Sequence, residues 1–302
     1  LKILSAIALL GLVLAVYSLL IRPAQLTWGA SADELGRVMP GDEIPVQASF
    51  DATRAVTIAG TPEQIWPWLL QWGYGKAGFY GYDVIENITS PSGLHSADRI
   101  IPELQHLAVG DKILMNDLAS LTVHEIRPND ALVLTGSADP PTTTSVMTWA
   151  LYPIDASHTR LVNRFRFEQT GNLMLQALNA FTDFADPIAI NKILLGIKGH
   201  VEGNIEPFSV QVIEVSAWVL IFIEWVVAII FIFTRRAWGW AWLFALFVGL
   251  ALLFVLFAPV PAWVKLLLAC GILAGLIGSR FAVRQTKQIN PRIVANGHDM
   301  GQ

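Results

Sequence analysis

Two blocks of this chain leave little choice about their surroundings. Residues 3–21, ILSAIALLGLVLAVYSLLI, carry no charge and are bracketed by Lys2 and Arg22. At about 1.5 Å of rise per residue, a helix of that length covers roughly 30 Å, one hydrocarbon thickness. Residues 208–233, 238–258 and 262–284 are three more predominantly apolar runs, each long enough to cross. The expectation is a membrane protein with four α-helical spans. A cleavable signal peptide is the competing reading of the first run. Its apolar region would be about 7–15 residues long, and no small-x-small site follows here, so a retained anchor is expected. The charged fraction of 15% sits below the roughly 25% of soluble domains. The stretch between the first and second runs is long enough for one core. The expected organisation is an anchor at 1–22, a linker at 23–49, a folded domain at 50–205, three spans at 206–285 and a polar tail at 286–302. The single cysteine, Cys270, lies in an apolar run, which excludes a disulfide framework or a cysteine-built metal site.

Charge sets the expected orientation. Four spans put the amino terminus, the 234–237 loop and the carboxyl tail on one side. That side holds Lys2, Arg235, Arg236, Arg280, Arg284, Lys287 and Arg292 against the single acid Asp299. Residues 22–207 hold 12 Lys/Arg and 21 Asp/Glu, a net charge of −9. Lys and Arg near span ends stay cytoplasmic. The expected location is therefore a bacterial inner (plasma) membrane, with both termini cytoplasmic and the acidic domain extracytoplasmic. The acidic balance argues against nucleic acid and against docking through a basic patch on anionic lipid.

The middle of the chain reads as strands, turns and two helices. Residues 50–59 predict a strand with Phe50, Ala52, Val56 and Ile58 on one face. Arg54 shares that face and needs a partner if buried. Thr61, Pro62 and Gln64 predict a capped helix start running to about Trp72, with a kink at Pro67. Its tryptophans Trp66, Trp68 and Trp72 suit either core packing or the wall of an apolar cavity. Strands are predicted at 111–116, 119–127, 130–136, 143–154 and 158–168, separated by Gly110-Asp111, Pro128-Asn129-Asp130 and Asp155-Ala156-Ser157. One face of the last two strands carries Met147, Trp149, Leu151, Leu161, Phe165 and Phe167, interrupted by Asn163. The other face of 158–168 carries Arg160, Arg164, Arg166 and Glu168, a pattern that predicts one buried and one wet face. Residues 171–203 predict a long helix, kinked or split at Pro187.

Most of the unusual side chains fall in residues 78–111, GFYGYDVIENITSPSGLHSADRIIPELQHLAVGD. Asp83 and Glu86 share a face on a helical turn, as do His95, Asp98 and Arg99. The structural reading is a polar network in which Arg99 neutralises Asp83, Glu86 or Asp98. The functional reading is a ligand-facing cluster, with Tyr80 and Tyr82 offering rings and hydroxyls. Catalysis would need a nucleophile–base pair; the candidates are Asp83, His95 and Asp98, or His124 with Glu125. No established metal spacing is present, and neither metal nor cofactor is expected. In the spans, Glu224 lies near the middle of 208–233, where a carboxyl usually faces a bundle interior or a partner. Trp238, Trp240 and Trp242 suit an interfacial belt. Gly271, Gly275 and Ser279 make a small-residue face.

Strand, capped helix, polar stretch, strand meander and long carboxyl-terminal helix, in that order, resemble the START-like (SRPBCC, polyketide-cyclase-like) superfamily. The local matches are VTIAGTPEQIWPWLLQWGYGKAGFYGYDVIEN, HSADRIIPELQHLAVGD and INKILLGIKGHVEG, which resemble a membrane-anchored bacterial branch. The resemblance spans about residues 50–205. It implies an α+β helix-grip fold, an antiparallel sheet wrapped on a long carboxyl-terminal helix with an apolar cavity between them. Three functions follow as expectations. The first is binding of an apolar small molecule or lipid at the extracytoplasmic face of the bilayer. Its candidate contacts are Trp66, Trp68, Tyr80, Tyr82, Glu86, Arg99, Met147, Trp149, Asn163 and Phe165. The second is an accessory role beside partner membrane subunits. The third is a cyclase- or hydrolase-type enzyme using the Tyr80–Glu103 cluster. Fold analogy alone does not choose among them.

Overall fold

Residues with alternating apolar side chains pair into one sheet, and the continuous apolar runs become helices. The computed structural model describes residues 1–89, 95–117, 119–137, 143–168, 173–236 and 238–277. The Pro91–Gly93 break, Ser279, Arg280, Arg284 and the polar tail with Lys287 and Arg292 lie outside them. In chain order the elements are α1 (Lys2–Val16), a π-helical turn (Tyr17–Ile21), α2 (Arg22–Leu26), α3 (Ala32–Gly36), β1 (Phe50–Ile58), α4 (Pro62–Leu70) and α5 (Asp83–Thr89). A 3-10 turn (Pro102–Leu104) precedes β2 (Lys112–Leu114), β3 (Ser120–Arg127), β4 (Ala131–Gly136), β5 (Ser145–Pro153) and β6 (Thr159–Phe167). Then come α6 (Leu173–Val201), α7 (Phe208–Thr234) and α8 (Trp238–Phe257), and last α9 (Ala262–Ile277). Two units result: residues 18–211, and residues 1–17 with 212–302.

In the first unit the sheet is wholly antiparallel in the order β1-β6-β5-β4-β3-β2. The alternation read from sequence sets the register. Arg54 pairs with Asn163 and Asn163 with Trp149, so these three share the inner face. Beneath that face runs α6, one continuous 29-residue helix with Pro187 inside it; the expected split there does not occur. The inner face packs on Ile190, Ile193, Leu194 and Ile197 of α6 and on Trp66, Trp68, Leu69 and Trp72 of the α4 region. At the start of α4, Gln64 Oε1 accepts from the Thr61 N–H at 2.9 Å, the return half of the expected capping box. Arg54 is fully buried, as its strand position demanded. Its guanidinium lies 2.7 Å from Asp186 of α6, and its Nε donates to the Gln25 carbonyl.

The outer face is the main departure from expectation. It is not wet, and residues 23–49 are not a linker. They fold across it. Met39 joins Ala55, Ala131, Ala150 and Val162 in a second apolar cluster. Arg160 is held by Glu34 at 2.7 Å, and Arg164 by Asp42 and the carbonyls of Glu34 and Arg37. Arg166 donates to the Gly41 carbonyl. Gly41, at φ +90°, lies so close to the sheet that a Cβ there would fall 2.8 Å from Val133 Cγ1. The arginines that suggested a solvated face are therefore the anchors of a cover. Each polar head finds carbonyls and carboxylates above it, and the stems pack flat.

Lys2–Leu26, Phe208–Thr234 and Trp238–Phe257 are long and apolar enough to cross a membrane, whereas the helix at Ala262–Ile277 is shorter. Three candidate spans stand where four were expected, and the end of the 262–284 run lies outside the described residues. Lys2 Nζ donates to the carbonyls of Phe233 and Arg235, so the start of α1 and the end of α7 lie together. Trp242 donates to the Ser5 carbonyl and Trp218 to that of Val255. Glu214 and Lys265 form a buried ion pair at 2.6 Å.

Candidate functional site

The residues of the polar stretch converge on the carboxyl-terminal half of α6. Tyr80 adopts φ +62°, a left-handed conformation uncommon for a bulky residue and costly unless its surroundings hold it. Here they do. Its N–H donates to Ser96 Oγ at 2.9 Å and its hydroxyl accepts from Gln71 Nε2 at 2.8 Å. Its ring lies 5.6 Å from Trp68 and 4.7 Å from His200. Burial pushes the phenol well above its ordinary pKa, so the hydroxyl keeps its proton. Helix and loop touch through Gly196, where a Cβ would fall 1.8 Å from the Tyr80 carbonyl oxygen.

Beside this contact lies a cleft of about 210 Å³, walled by Tyr80, Asp83, Ser96, Lys192, Gly196, His200, Glu206 and Gln211 among others. Asp83 accepts from the Ser96 N–H at 3.1 Å and from Ser96 Oγ at 2.7 Å. His95 Nδ1 stands 3.7 Å from Asp83. Lys192 pairs with Glu206 at 2.5 Å and lies over the Tyr82 ring. His200 Nδ1 donates to the Gly196 carbonyl at 2.7 Å, which in the neutral ring makes Nε2 the acceptor.

Glu86 sits behind Gly81. Burial, reinforced by the Asp83 charge, pushes its carboxyl up to about 8. A carboxyl with a raised folded pKa binds its proton more tightly when folded. Its contribution is complete below its ordinary value of 4.5 and is lost as pH climbs to about 8. Glu86→Gln is expected to flatten that slope and to be more stable than the parent near pH 8.5, by on the order of 3 kcal/mol. Urea unfolding at about pH 5.5 and 8.5 checks this, and parallel behaviour of parent and variant removes the assignment.

The sequence-level candidates divide. Tyr80, Tyr82, Asp83, Glu86 and His95 come together. Asp98 is exposed and stands outside the cleft wall. The expected ion pair of Arg99 with Asp83, Glu86 or Asp98 does not form: among the described residues its exposed side chain has no partner, and only its carbonyl is used, by Gln71. His95 pairs with Asp83 rather than Asp98, and Glu125 with Arg127. Ser96 Oγ is spent between Tyr80 and Asp83, and no histidine bonds to it among the described residues. The arrangement therefore offers binding groups rather than an activated nucleophile. Trp66, Met147, Trp149 and Asn163 are packed in the sheet–helix interior. Trp68 belongs to the same core while touching Tyr80, and Phe165 meets Phe50 edge-on and Phe167 at a tilt. The apolar hollow expected between sheet and helix is thus occupied, over the described residues, by the core tryptophans and leucines. Among the described residues, buried polar atoms there without a hydrogen-bond partner include Trp72 Nε1, Trp149 Nε1 and Asn163 Oδ1. Glu224, 2% exposed, likewise has no partner for either oxygen among the described residues. Sequence reasoning missed Ser96, Lys192, Gly196, His200, Glu206 and Gln211. The one local signal was Gly196–His200 four apart on a helix, which places both on one face.

The antiparallel order of the six strands and the long helix behind them are the arrangement of a helix-grip fold. Solved structures similar to it include a protein from Mesorhizobium loti, 20% identical over 50% of this chain and 96% of that chain, with a TM-score of 0.27. A Polyketide_cyc-like protein from Corynebacterium glutamicum is 13% identical over 50% of this chain and 91% of its own, with a TM-score of 0.30. A protein from Arthrobacter aurescens is 14% identical over 51% and 86%, with a TM-score of 0.32. No family model and no curated protein matches the chain.

Proposed function

We propose that this is a membrane-tethered START-like domain that binds an apolar small molecule or lipid by its polar end, at the extracytoplasmic face of a bacterial membrane. The observation that carries the reading is the cleft against α6. The fold spends backbone strain at Tyr80 and buries Asp83 to build it. Its volume of about 210 Å³ is below the roughly 300 Å³ at which pockets for drug-sized ligands begin. It therefore suits a head group, with the apolar remainder outside. The three apolar helices supply the tether. The net charge of −9 over residues 22–207, against Lys2, Arg235 and Arg236 at the helix ends, supports the extracytoplasmic side.

Native mass spectrometry of the full chain released from mild detergent tests the reading. The expected result is one bound amphiphile per chain, lost on Asp83→Asn. An empty protein that also fails to take up any added amphiphile overturns it.

A further inference from the structure

We infer that the cleft receives the amino end of its ligand, so that the ligand class is a long-chain amine or an amine-headed lipid; this rests on the head-group reading above and narrows it. Asp83 keeps lone pairs beyond the two bonds from Ser96. A neutral His200 ring, its Nδ1–H spent on the Gly196 carbonyl, has Nε2 as an acceptor. Gln211 is 7% exposed, belongs to the cleft wall, and its Oε1 has no partner among the described residues. A buried acceptor left unsatisfied is costly and calls for a donor. The Lys192 ammonium is already paired with Glu206.

Against these acceptors the described wall sets the neutral side-chain amides of Asn204 and Gln211, and its charges are Asp83 and Glu206 against Lys192, one negative in excess. A carboxylate or phosphate entering would meet the Asp83 charge, while the wall's ammonium among the described residues, Lys192, is held by Glu206. An alcohol brings one donor. An ammonium brings three donors and the complementary charge. Leu195 and Ile205 line the same cleft and suit the first methylenes of a chain. Gln211 is also the fourth residue of α7, which opens the apolar span Phe208–Thr234. By chain connectivity the cleft ends within one turn of membrane-compatible helix, which favours an amphiphile as the source of the amine.

The test is equilibrium binding of dodecylamine, dodecanol and dodecanoate to the full chain in non-ionic detergent, read by intrinsic tryptophan fluorescence and calorimetry. Dodecylamine is expected to bind about tenfold tighter than either of the others, the worth of one charge-assisted contact. Glu206→Gln, at a side chain 40% exposed and so of little consequence for folding, removes the wall's excess negative charge and is expected to abolish the preference. Gln211→Met is expected to weaken the amine and leave the alcohol unchanged. Equal binding of all three amphiphiles overturns the amine assignment while leaving the head-group reading standing. Binding of none overturns both. A butylamine arm separates the sources: weak competition by the short amine assigns the ligand to an amine-headed lipid, and competition equal to dodecylamine assigns it to a free amine.

Discussion

Gly196→Ala is expected to cost the sheet-and-helix domain at least 3 kcal/mol, more than most overpacking substitutions. The added carbon would sit 1.8 Å from the Tyr80 carbonyl oxygen, far inside van der Waals contact. Neither side can yield cheaply. Gly196 is inside α6, whose neighbours Ile193, Leu194 and Ile197 are core. Tyr80 is pinned through its amide by Ser96, through its hydroxyl by Gln71, and through its ring by Trp68 and His200. For a domain of this size each kcal/mol moves Tm by roughly 2–4 °C, so a fall of about 6–12 °C is expected by circular dichroism. Gly36→Ala, where a Cβ meets nothing within 4 Å, is the matched control and is expected to stay within about 0.5 kcal/mol of the parent. If the two variants melt together, the helix-to-loop contact is not what positions the cleft.

Arg54→Met is the second large effect. Arg54 and Asp186 are both almost wholly buried and meet at 2.7 Å. Removing one member strands the other, a loss of about 3–5 kcal/mol, whereas replacing both with apolar residues of similar volume is often neutral. Arg54→Met with Asp186→Leu is accordingly expected to recover most of the stability lost by the single change. Burial pushes the Asp186 carboxyl up even with Arg54 beside it. In the single variant that push is unopposed, so the folded state holds the proton more tightly than the unfolded one, and stability is expected to return as pH falls. Denaturant titrations of both variants near pH 5 and pH 8 decide it. A double variant as unstable as the single would show that the pair contributes through its hydrogen bond to the Gln25 carbonyl rather than through charge.

How far the sequence reached follows from the range of each signal. Period-two alternation and turn residues act over a few positions, and they placed all six strands to within one or two residues, with β1 at Phe50–Ile58 and β6 at Thr159–Phe167. The same holds for the capped start of α4, where Thr61 and Gln64 are three apart, and for the apolar runs that became α1, α7 and α8. Arg54 was legible as a residue in need of a partner, because an odd charge on an apolar face announces itself.

What the tertiary structure decided lies at long separation. Polar composition and prolines marked residues 23–49 as a linker, yet Glu34 and Asp42 bind arginines more than 120 positions away. Nothing local in either segment encodes that match. The cleft is of the same kind: Tyr80 and Ser96 on one side, Gly196, His200 and Gln211 on the other, joined because one glycine lets two backbones approach. His95 met Asp83 instead of Asp98, since helical spacing predicts neighbours only where a helix exists, and residues 95–99 form none. Composition and periodicity determined the elements and the membrane-compatible runs. Packing alone chose which polar groups would face one another, because that choice depends on the shape left over once the apolar surfaces are buried.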